Sequence, residues 1–88
     1  MNSAGFSIRF RESVRKDLRK IPKADVQRIL QRINALQSEP RPPQAEMLTG
    51  DTKYRIRQGN YRILCEIEDD LLTVCAVKVG HHKDVYRM

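Results

Sequence analysis

Residues 54–68, Tyr-Arg-Ile-Arg-Gln-Gly-Asn-Tyr-Arg-Ile-Leu-Cys-Glu-Ile-Glu, decide the fold of this chain. Apolar and polar side chains alternate on both sides of Gly59-Asn60, as in two strands that each bury one face. Gly and Asn tolerate positive φ, so the dipeptide predicts a two-residue hairpin turn. The turn would pair Gln58 with Tyr61, Arg57 with Arg62, Ile56 with Ile63, and Arg55 with Leu64.

This register sorts the hairpin side chains onto two faces. The apolar face would carry Tyr54, Ile56, Tyr61, Ile63, Cys65 and Ile67, and the opposite face would carry Arg55, Arg57 and Arg62. Like charges directly opposite each other destabilise a sheet, and a local rule broken in this way is typical of a functional site. Because guanidinium groups bind phosphate oxygens in bidentate geometry, the pattern predicts a cationic face for a polyanion. A solvated basic face, partly neutralised by Glu66 and Glu68, fits the spacing equally well.

The residues that precede this hairpin predict one strand and two helices. Apolar and polar side chains alternate over residues 6–10, which indicates a short strand with one buried face. Helical spacing of apolar residues then predicts a helix over about 12–20, ended by Pro22, and a longer one over about 24–38. The stretch Pro40–Pro43 would end the second helix and begin a loop.

A fourth strand is predicted over Leu71–Val79, where apolar residues occupy both parities as in a central strand buried on both faces. Asp69-Asp70 would form its hairpin turn. In that register Cys65 would pair with Val74, and Cys75 with Leu64. The two thiols would point to opposite faces and could not form a disulfide. We therefore interpret both as small core residues in a reducing compartment.

Together these elements predict an α+β fold in the order β-αα-βββ. A helical hairpin would pack on one face of a mostly antiparallel sheet. The length of 88 residues suits one domain, covering residues 1–88, and leaves no room for a second.

Composition narrows the class of partner. The chain has 17 Lys and Arg against 11 Asp and Glu, a net charge of +6, which favours a nucleic acid or an acidic protein. No apolar run approaches the ~20 residues that span a bilayer, and the N-terminus lacks a basic and apolar leader, so we expect a cytoplasmic protein with no membrane contact. His81-His82 is adjacent rather than spaced as metal ligands are, so no metal site is expected.

Several stretches, taken together, resemble the RelE-type toxins of bacterial toxin–antitoxin pairs, within the RelE/ParE superfamily. They cover nearly the whole chain. The matching residues are Phe10 with Val14–Pro22, Leu48–Gly50, Tyr54–Arg62, and Val77–Arg87. The third and fourth of these are specific at their spacing, and the helical part is less so.

RelE-type toxins are metal-independent endoribonucleases that cut messenger RNA in the ribosomal A site. The resemblance therefore implies attack of a ribose 2′-OH on the adjacent phosphate, leaving a 2′,3′-cyclic phosphate and a 5′-OH. It implies as partners the 70S ribosome with its ribosomal RNA, the messenger RNA and a cognate antitoxin protein. It implies no metal and no other cofactor.

The resemblance also assigns positions. Arg55 and Arg57 match the basic residues of the family's second strand, and Arg62 matches its third-strand arginine. Tyr86 matches the C-terminal tyrosine. Where the family usually has an arginine shortly after Val-Gly, this chain has His82, which departs from the pattern.

These matches imply roles for the same residues. Arg57 and Arg62 would stabilise the charge that grows on the phosphate, and substrate would also be bound by Lys53, Arg55 and Lys83. His82 has an ordinary pKa suited to proton transfer near neutrality, and Lys83 is a candidate to replace the missing cation. Tyr86 would stack on an RNA base or assist at the 2′-OH. The identity of the general base stays open, because an arginine normally remains protonated.

The basic residues of the N-terminal half suggest a second contact with RNA. They are Arg9, Arg11, Arg15, Lys16, Arg19, Lys20, Lys23, Arg28 and Arg32. Such residues would track ribosomal RNA through salt-sensitive phosphate contacts. An ordinary solvated helix face is the alternative interpretation.

Two other functions remain open at this point. A ParE-type toxin would have the same fold and inhibit DNA gyrase without a nuclease site. A catalytically inactive member, or a basic RNA-binding module, is the second alternative. Arg55, Arg57, Arg62 and Tyr86 favour the nuclease, whereas the replacement of an arginine by His82 weakens that argument.

Overall fold

The computed structural model describes residues 5–48 and 53–81. The elements, in chain order, are β1 (Ser7–Phe10), α1 (Glu12–Arg19), α2 (Lys23–Ala35), β2 (Ala45–Met47), β3 (Lys53–Gln58), β4 (Tyr61–Glu68), a 3-10 turn (Asp69–Leu71) and β5 (Thr73–His81). The five strands form one sheet in the order β1-β5-β4-β3-β2, in which only β1 and β5 run parallel. The predicted α+β class, with two helices and a mostly antiparallel sheet, is confirmed. Within the described residues no helix has the length and apolar character needed to cross a membrane.

The two helices lie where the apolar spacing predicts them, and Pro22 separates them. α2 ends at Ala35, three residues before the predicted end at 38. The next amides turn back onto the helix, with Gln37 N–H bonded to the Asn34 carbonyl at 3.2 Å. Leu36 is only 1% exposed although it caps the helix rather than continuing it. The apolar spacing therefore continues past the last residue of the helix, and this is why the predicted end of α2 lies too far along the chain.

The core lies between the helices and one face of the sheet. Val14, Ile29 and Ile33 of the helices meet a buried cluster from three strands: Ile56, Ile63, Cys65, Ile67, Val74, Ala76 and Val79. Tyr54 and Tyr61 pack against this cluster, half-buried. The apolar face of the β3–β4 hairpin is thus the one that the alternation predicts, and the arginines occupy the opposite face.

The β3–β4 register is confirmed pair by pair, from Gln58 with Tyr61 to Arg55 with Leu64. Gly59 has a φ of +59°, the left-handed conformation for which glycine is suited, and a Cβ there would meet no atom within 4 Å. The turn is therefore open to solvent on its outer side.

The predicted β4–β5 register is wrong by two residues. Cys65 pairs with Ala76 instead of Val74, and Cys75 pairs with Glu66 instead of Leu64. Asp-Asp does not favour the two positive φ angles of a tight turn, and the connection is instead four residues long, closing from Glu68 to Thr73.

This longer connection forms a 3-10 turn, Asp69–Leu71, followed by Leu72 with a φ of +48°. Leu71, predicted to begin the strand, is 66% exposed in the turn. β5 is buried on its helix-facing side only, so the prediction of burial on both faces is also wrong.

Both cysteines are free thiols, as predicted. Cys65 lies in the core, where burial raises the pKa of its thiol to about 12 and leaves it unreactive. Cys75 is half-buried on the opposite face, so its assignment to the core is wrong.

β2 was not predicted. Ala45–Met47 pairs antiparallel with β3 and extends the sheet by one strand where the sequence predicted only a loop. The segment that leads into β2 is attached by Arg41, whose guanidinium binds both carboxylate oxygens of Asp69 at 3.1 and 2.8 Å. Arg41 also donates to the Tyr54 hydroxyl at 2.8 Å. The position of β2 therefore depends on contacts that Arg41, outside the strand, makes with residues distant in sequence.

α1 covers the part of the β5 edge that lies beyond the end of β1. The Ser13 hydroxyl donates to the Val77 carbonyl at 2.8 Å, and one helical turn later an Asp17 carboxylate oxygen accepts from the Val79 amide at 3.0 Å. The second oxygen of Asp17 accepts from Lys78 at 2.8 Å. Two side chains of a helix thereby satisfy backbone groups that a neighbouring strand would otherwise bond.

Candidate functional site

A cleft of about 580 Å³ opens beside the arginine-bearing face of the β3–β4 hairpin. Its lining residues are Pro43, Gln44, Ala45, Glu46, Arg55, Arg57 and Arg62. β3 and β4 supply the three arginines, and β2 with the segment before it forms the facing wall. The volume lies within the range of sites that hold small ligands such as nucleotides. The structure therefore brings together three of the predicted site residues.

Arg57 and Arg62 occupy directly opposed positions of β3 and β4. Arg57 is exposed and makes no hydrogen bond or ion pair with any residue that the structure describes. Arg62 is half-buried, and its Nη1 donates to the carbonyls of Tyr61 at 3.1 Å and Gly59 at 3.5 Å. Burial, together with the nearby charges of Arg57 and Arg55, lowers the pKa of Arg62. An anion placed between the two guanidinium groups would relieve this repulsion.

Arg55 differs from the other two arginines because it is paired with a carboxylate. Glu46, directly opposite on β2, accepts hydrogen bonds from Arg55 Nη2 at 2.6 Å and Nε at 3.2 Å. These bonds lower the pKa of Glu46, so its carboxylate is ionised at neutral pH. The cleft therefore contains three cations and one carboxylate, and keeps a net positive charge.

Glu46 is the site residue that the sequence analysis missed. No periodic signal marks a strand of three residues, so nothing in the sequence placed this carboxylate beside Arg55. Glu66, which was considered as the neutralising residue, instead binds Arg11 at 3.2 Å. Glu68 lies exposed at the end of β4.

Lys53 begins β3, on the same face as Arg55 and Arg57, but does not line the cleft. Four residues separate it from Arg57, or roughly 13 Å at the rise of a strand. Its cross-strand partner is Glu66. A role for Lys53 in binding would therefore concern RNA that extends beyond the cleft.

His82, Lys83 and Tyr86 lie outside the described residues, so the roles predicted for them stay predictions. β5 leads toward the cleft, because Gly80 pairs with Arg62 and His81 pairs with Tyr61. No group of three or more His, Cys, Asp or Glu side chains within the described ranges is arranged to hold a metal ion.

The basic residues of the N-terminal half are mostly exposed in α1, α2 and β1. Arg32 is the exception: it is half-buried and donates to the side-chain oxygen of Gln58 at 3.2 Å. Arg28 is exposed and lies 3.5 Å from Asp25, and Arg11 is paired with Glu66. The remaining positions leave an extended cationic surface on the helical hairpin.

The chain matches a family model described as the ParE toxin of the type II toxin–antitoxin system, parDE, over residues 8–86. It is also 31% identical over 86 residues to Toxin RelG of Mycobacterium tuberculosis, covering 93% of this chain and 97% of RelG.

Solved structures of RelE toxins have the same fold. The toxin–antitoxin complex RelBE2 from Mycobacterium tuberculosis matches with a TM-score of 0.78 and 26% identity, covering 91% of this chain and 94% of that one. The archaeal RelE–RelB complex from Pyrococcus horikoshii matches with 0.75 and 27%, covering 86% and 93%. A mutant of the E. coli toxin RelE in the free state, at 20% identity, supports the fold alone, with a TM-score of 0.80 over 94% of this chain and 92% of that one. From the family model and the identity to RelG, this chain belongs to the RelE/ParE superfamily of toxins from toxin–antitoxin systems.

Proposed function

We propose that the chain is a ribosome-dependent endoribonuclease that cleaves messenger RNA in the A site and is neutralised by a cognate antitoxin. The observation that carries this proposal is the cleft in which Arg57 and Arg62 face each other beside Arg55. Two arginines opposed at this position have an unfavourable interaction that a bound phosphate would relieve. Such a cleft is suited to a phosphodiester.

The main contribution of the arginines to this reaction would be to stabilise negative charge on the phosphate. When a ribose 2′-OH attacks the adjacent phosphate, negative charge grows on the phosphorane oxygens as the 5′ oxygen leaves. Arg57 and Arg62 would bind those oxygens through paired N–H donors. Arg57 has no ion pair to break within the described part of the chain, so its guanidinium is available to substrate.

Proton transfer is proposed for residues at the C-terminus. The 5′ oxygen needs an acid, and His82 is the proposed group because histidine is the side chain type suited to proton transfer near neutral pH. Tyr86 would stack on a base or assist at the 2′-OH, and Lys83 and Lys53 would contribute to substrate binding. In this proposal the reaction uses side chains only, without a metal.

A cognate antitoxin is the proposed protein partner. The RelBE2 complex of Mycobacterium tuberculosis and the RelE–RelB complex of Pyrococcus horikoshii each contain a toxin bound to its antitoxin. The net charge of +6 on this chain favours an acidic segment in such a partner. Neutralisation would follow if that segment covered the cationic cleft.

Inhibition of DNA gyrase is the second candidate, because the matching family model is that of ParE toxins. It requires no nuclease site and leaves the arrangement of Arg55, Arg57 and Arg62 without a role. A supercoiling assay with purified gyrase distinguishes the two functions. Loss of supercoiling without any new messenger ends would replace the nuclease proposal.

The direct test incubates the purified chain with translating ribosomes and maps new 5′-OH ends on the messenger. We expect cleavage by the wild type, and at least a hundredfold less by Arg57→Ala and Arg62→Ala, about the loss seen when one donor to a developing oxyanion is removed. Both side chains lie outside the buried core, so thermal unfolding should change little.

Arg9→Ala is the matched control, since it removes one exposed arginine from β1, away from the cleft. Arg9 is one of nine basic residues predicted to contact ribosomal RNA, so its loss should reduce cleavage far less than the loss of Arg57 or Arg62. Full cleavage by Arg57→Ala or Arg62→Ala would remove that arginine from the mechanism.

A further inference from the structure

A second cleft, of about 400 Å³, lies at the turn end of the β3–β4 hairpin and reaches the first turns of α2. Its lining residues are Asp25, Arg28, Gln58, Gly59, Asn60, Tyr61 and His81. None of these lines the arginine cleft. The arginine cleft lies on the face of the hairpin that carries Arg57 and Arg62. The second cleft lies on the other face, where the adjacent cross-strand pair, Gln58 and Tyr61, places its side chains.

Two aromatic rings form one wall of this second cleft. The Tyr61 and His81 ring centroids are 6.0 Å apart, and the planes meet at 76° in an edge-to-face arrangement. Both residues line the cleft and are only half-buried, so part of their ring surface borders the cavity. Unpaired RNA bases are recognised in this way, by stacking on aromatic side chains.

Among the polar groups beside the rings, Gln58 can offer a donor and Asp25 an acceptor. Arg32 Nε donates to Gln58 Oε1 at 3.2 Å, which leaves the Gln58 amide nitrogen as a donor. The Asp25 carboxylate accepts from the Tyr61 hydroxyl at 3.3 Å and lies 3.5 Å from Arg28. Both distances are long for bonds to a carboxylate, which has about four acceptor positions. Asp25 therefore retains capacity to accept from a ligand.

Arg62 connects the two clefts. Its Nη1 donates to the carbonyls of Gly59 and Tyr61, so this guanidinium rests against the same turn that borders the second cleft. Gly59 adds no side chain to that turn. A strand of RNA whose phosphate is bound at Arg62 can therefore cross the turn and place a neighbouring base in the second cleft.

We propose that this second cleft is a nucleobase subsite, which takes the unpaired base of a nucleotide adjacent to the phosphate bound by Arg57 and Arg62. The base stacks on Tyr61 or His81 and donates an N–H of its Watson–Crick edge to Asp25, while the Gln58 amide donates to a base acceptor. This inference rests on the proposed function for the identity of the RNA, and it assigns to the subsite the choice of nucleotide at the cut.

The first experiment does not depend on cleavage. The full chain is titrated with each of the four nucleoside 5′-monophosphates and, separately, with inorganic phosphate, while the ring-proton shifts of Tyr61 and His81 are followed by NMR. We expect saturable shifts with nucleotides, of unequal affinity among the four, and none of comparable size with inorganic phosphate. Equal ring shifts with phosphate alone would overturn the subsite.

Asp25→Asn tests the acceptor. It should weaken the preferred nucleotide several-fold, since a base N–H that bonded to a charged carboxylate would bond to a neutral amide oxygen instead. Asp70→Asn, which removes the same charge from the exposed β4–β5 turn, is the matched control and should bind as the wild type does. Identical affinities for the two variants would contradict the role of Asp25.

The second experiment maps cleavage sites on ribosomes for the wild type, Asp25→Asn, Asp70→Asn and Tyr61→Phe. We expect Asp25→Asn to redistribute cuts among codons several-fold, whereas Asp70→Asn, outside both clefts, should keep the wild-type rate and distribution of cleavage. Tyr61→Phe keeps the ring and should retain the wild-type distribution more closely. If the wild type cleaves messenger RNA but nucleotides leave its Tyr61 and His81 ring signals unchanged, the subsite is contradicted and the nuclease proposal stands. If nucleotides shift the ring signals but the wild type cleaves no messenger RNA, the nuclease proposal is contradicted and the subsite stands.

Discussion

The opposed pair Arg57 and Arg62 costs stability in the free protein. Like charges facing across two strands destabilise a sheet by about 0.2–1 kcal/mol. Among the described residues neither guanidinium forms an ion pair with a carboxylate, although Glu46, which is bonded to Arg55, interacts electrostatically with both. The unfavourable pair is therefore retained in the folded protein, as expected of side chains whose natural partner is an anionic ligand.

Under the proposed function, Glu46 would compete with RNA for Arg55. Its carboxylate holds the Arg55 guanidinium at 2.6 Å and reduces the positive charge of the cleft. Glu46→Gln should therefore remove one negative charge from the cleft and raise the affinity for a short single-stranded RNA several-fold. Fluorescence anisotropy of a labelled oligonucleotide at fixed ionic strength measures the change.

Glu39→Gln is the control for this experiment, because Glu39 is an exposed carboxylate outside the cleft. It should bind RNA as the wild type does. Unchanged or weaker binding by Glu46→Gln would show that the carboxylate does not oppose RNA binding.

At the scale of elements, α1 takes over from β1 as the neighbour of β5. Asp17 accepts from the Val79 amide and pairs with Lys78, and its side chain is only 13% exposed. Removing it leaves a backbone N–H without its acceptor and a lysine without its partner. Asp17→Ala should lower the free energy of unfolding by about 1–3 kcal/mol.

Asp17→Asn separates the two contributions, since an amide oxygen can still accept from Val79. It should cost less than Asp17→Ala. Urea unfolding of the two variants and the wild type gives both values. Equal costs would assign the whole effect to the ion pair with Lys78, and no cost in either variant would remove the edge contact from the stability of the sheet.

A local turn signal was sufficient to predict the β3–β4 hairpin. Gly59-Asn60 fixed the β3–β4 register because a two-residue turn leaves no freedom in pairing, and this alone placed Arg55, Arg57 and Arg62 on one face. Asp69-Asp70 was assigned by the same rule and failed. There the connection is lengthened, and Asp69 is held by Arg41, a residue 28 positions earlier.

Contacts distant in sequence explain the other parts that were missed. β2 has three residues, too few for a period, and depends on pairing with β3. Glu46 enters the site with that strand. The second cleft joins Asp25 of α2 to Tyr61 of β4, two residues that no local pattern relates. The sequence thus predicted the cationic half of the site but not the residues around it.

At the scale of the whole molecule, the net charge of +6 is spread over more surface than the cleft. Short RNA would contact mainly the three arginines, whereas a ribosome would also meet the exposed basic residues of the helical hairpin. For single strands the logarithm of affinity falls with the logarithm of salt by about 0.7 per phosphate neutralised, or about 2 for three contacts. Binding to ribosomes should show a clearly steeper dependence.

Charge reversal at Arg15 and Arg19, both exposed on α1, tests this difference. The double variant should lose part of the salt dependence of ribosome binding, measured by co-sedimentation across a salt series, and keep that of short RNA. If both dependences stayed as in the wild type, α1 would not be a ribosomal contact.

The contacts of Arg41 affect how the shape of this cleft can change during evolution. Arg41 joins the proline-containing segment to Asp69 and Tyr54, at the end of β4 opposite the Gly59-Asn60 turn. The wall that carries Glu46 is thus held in place by residues that do not line the cleft. Insertions or exchanges near Arg41 can widen or narrow the opening while leaving the three arginines untouched. Homologues with the same cationic strands can therefore differ in the shape of what they admit.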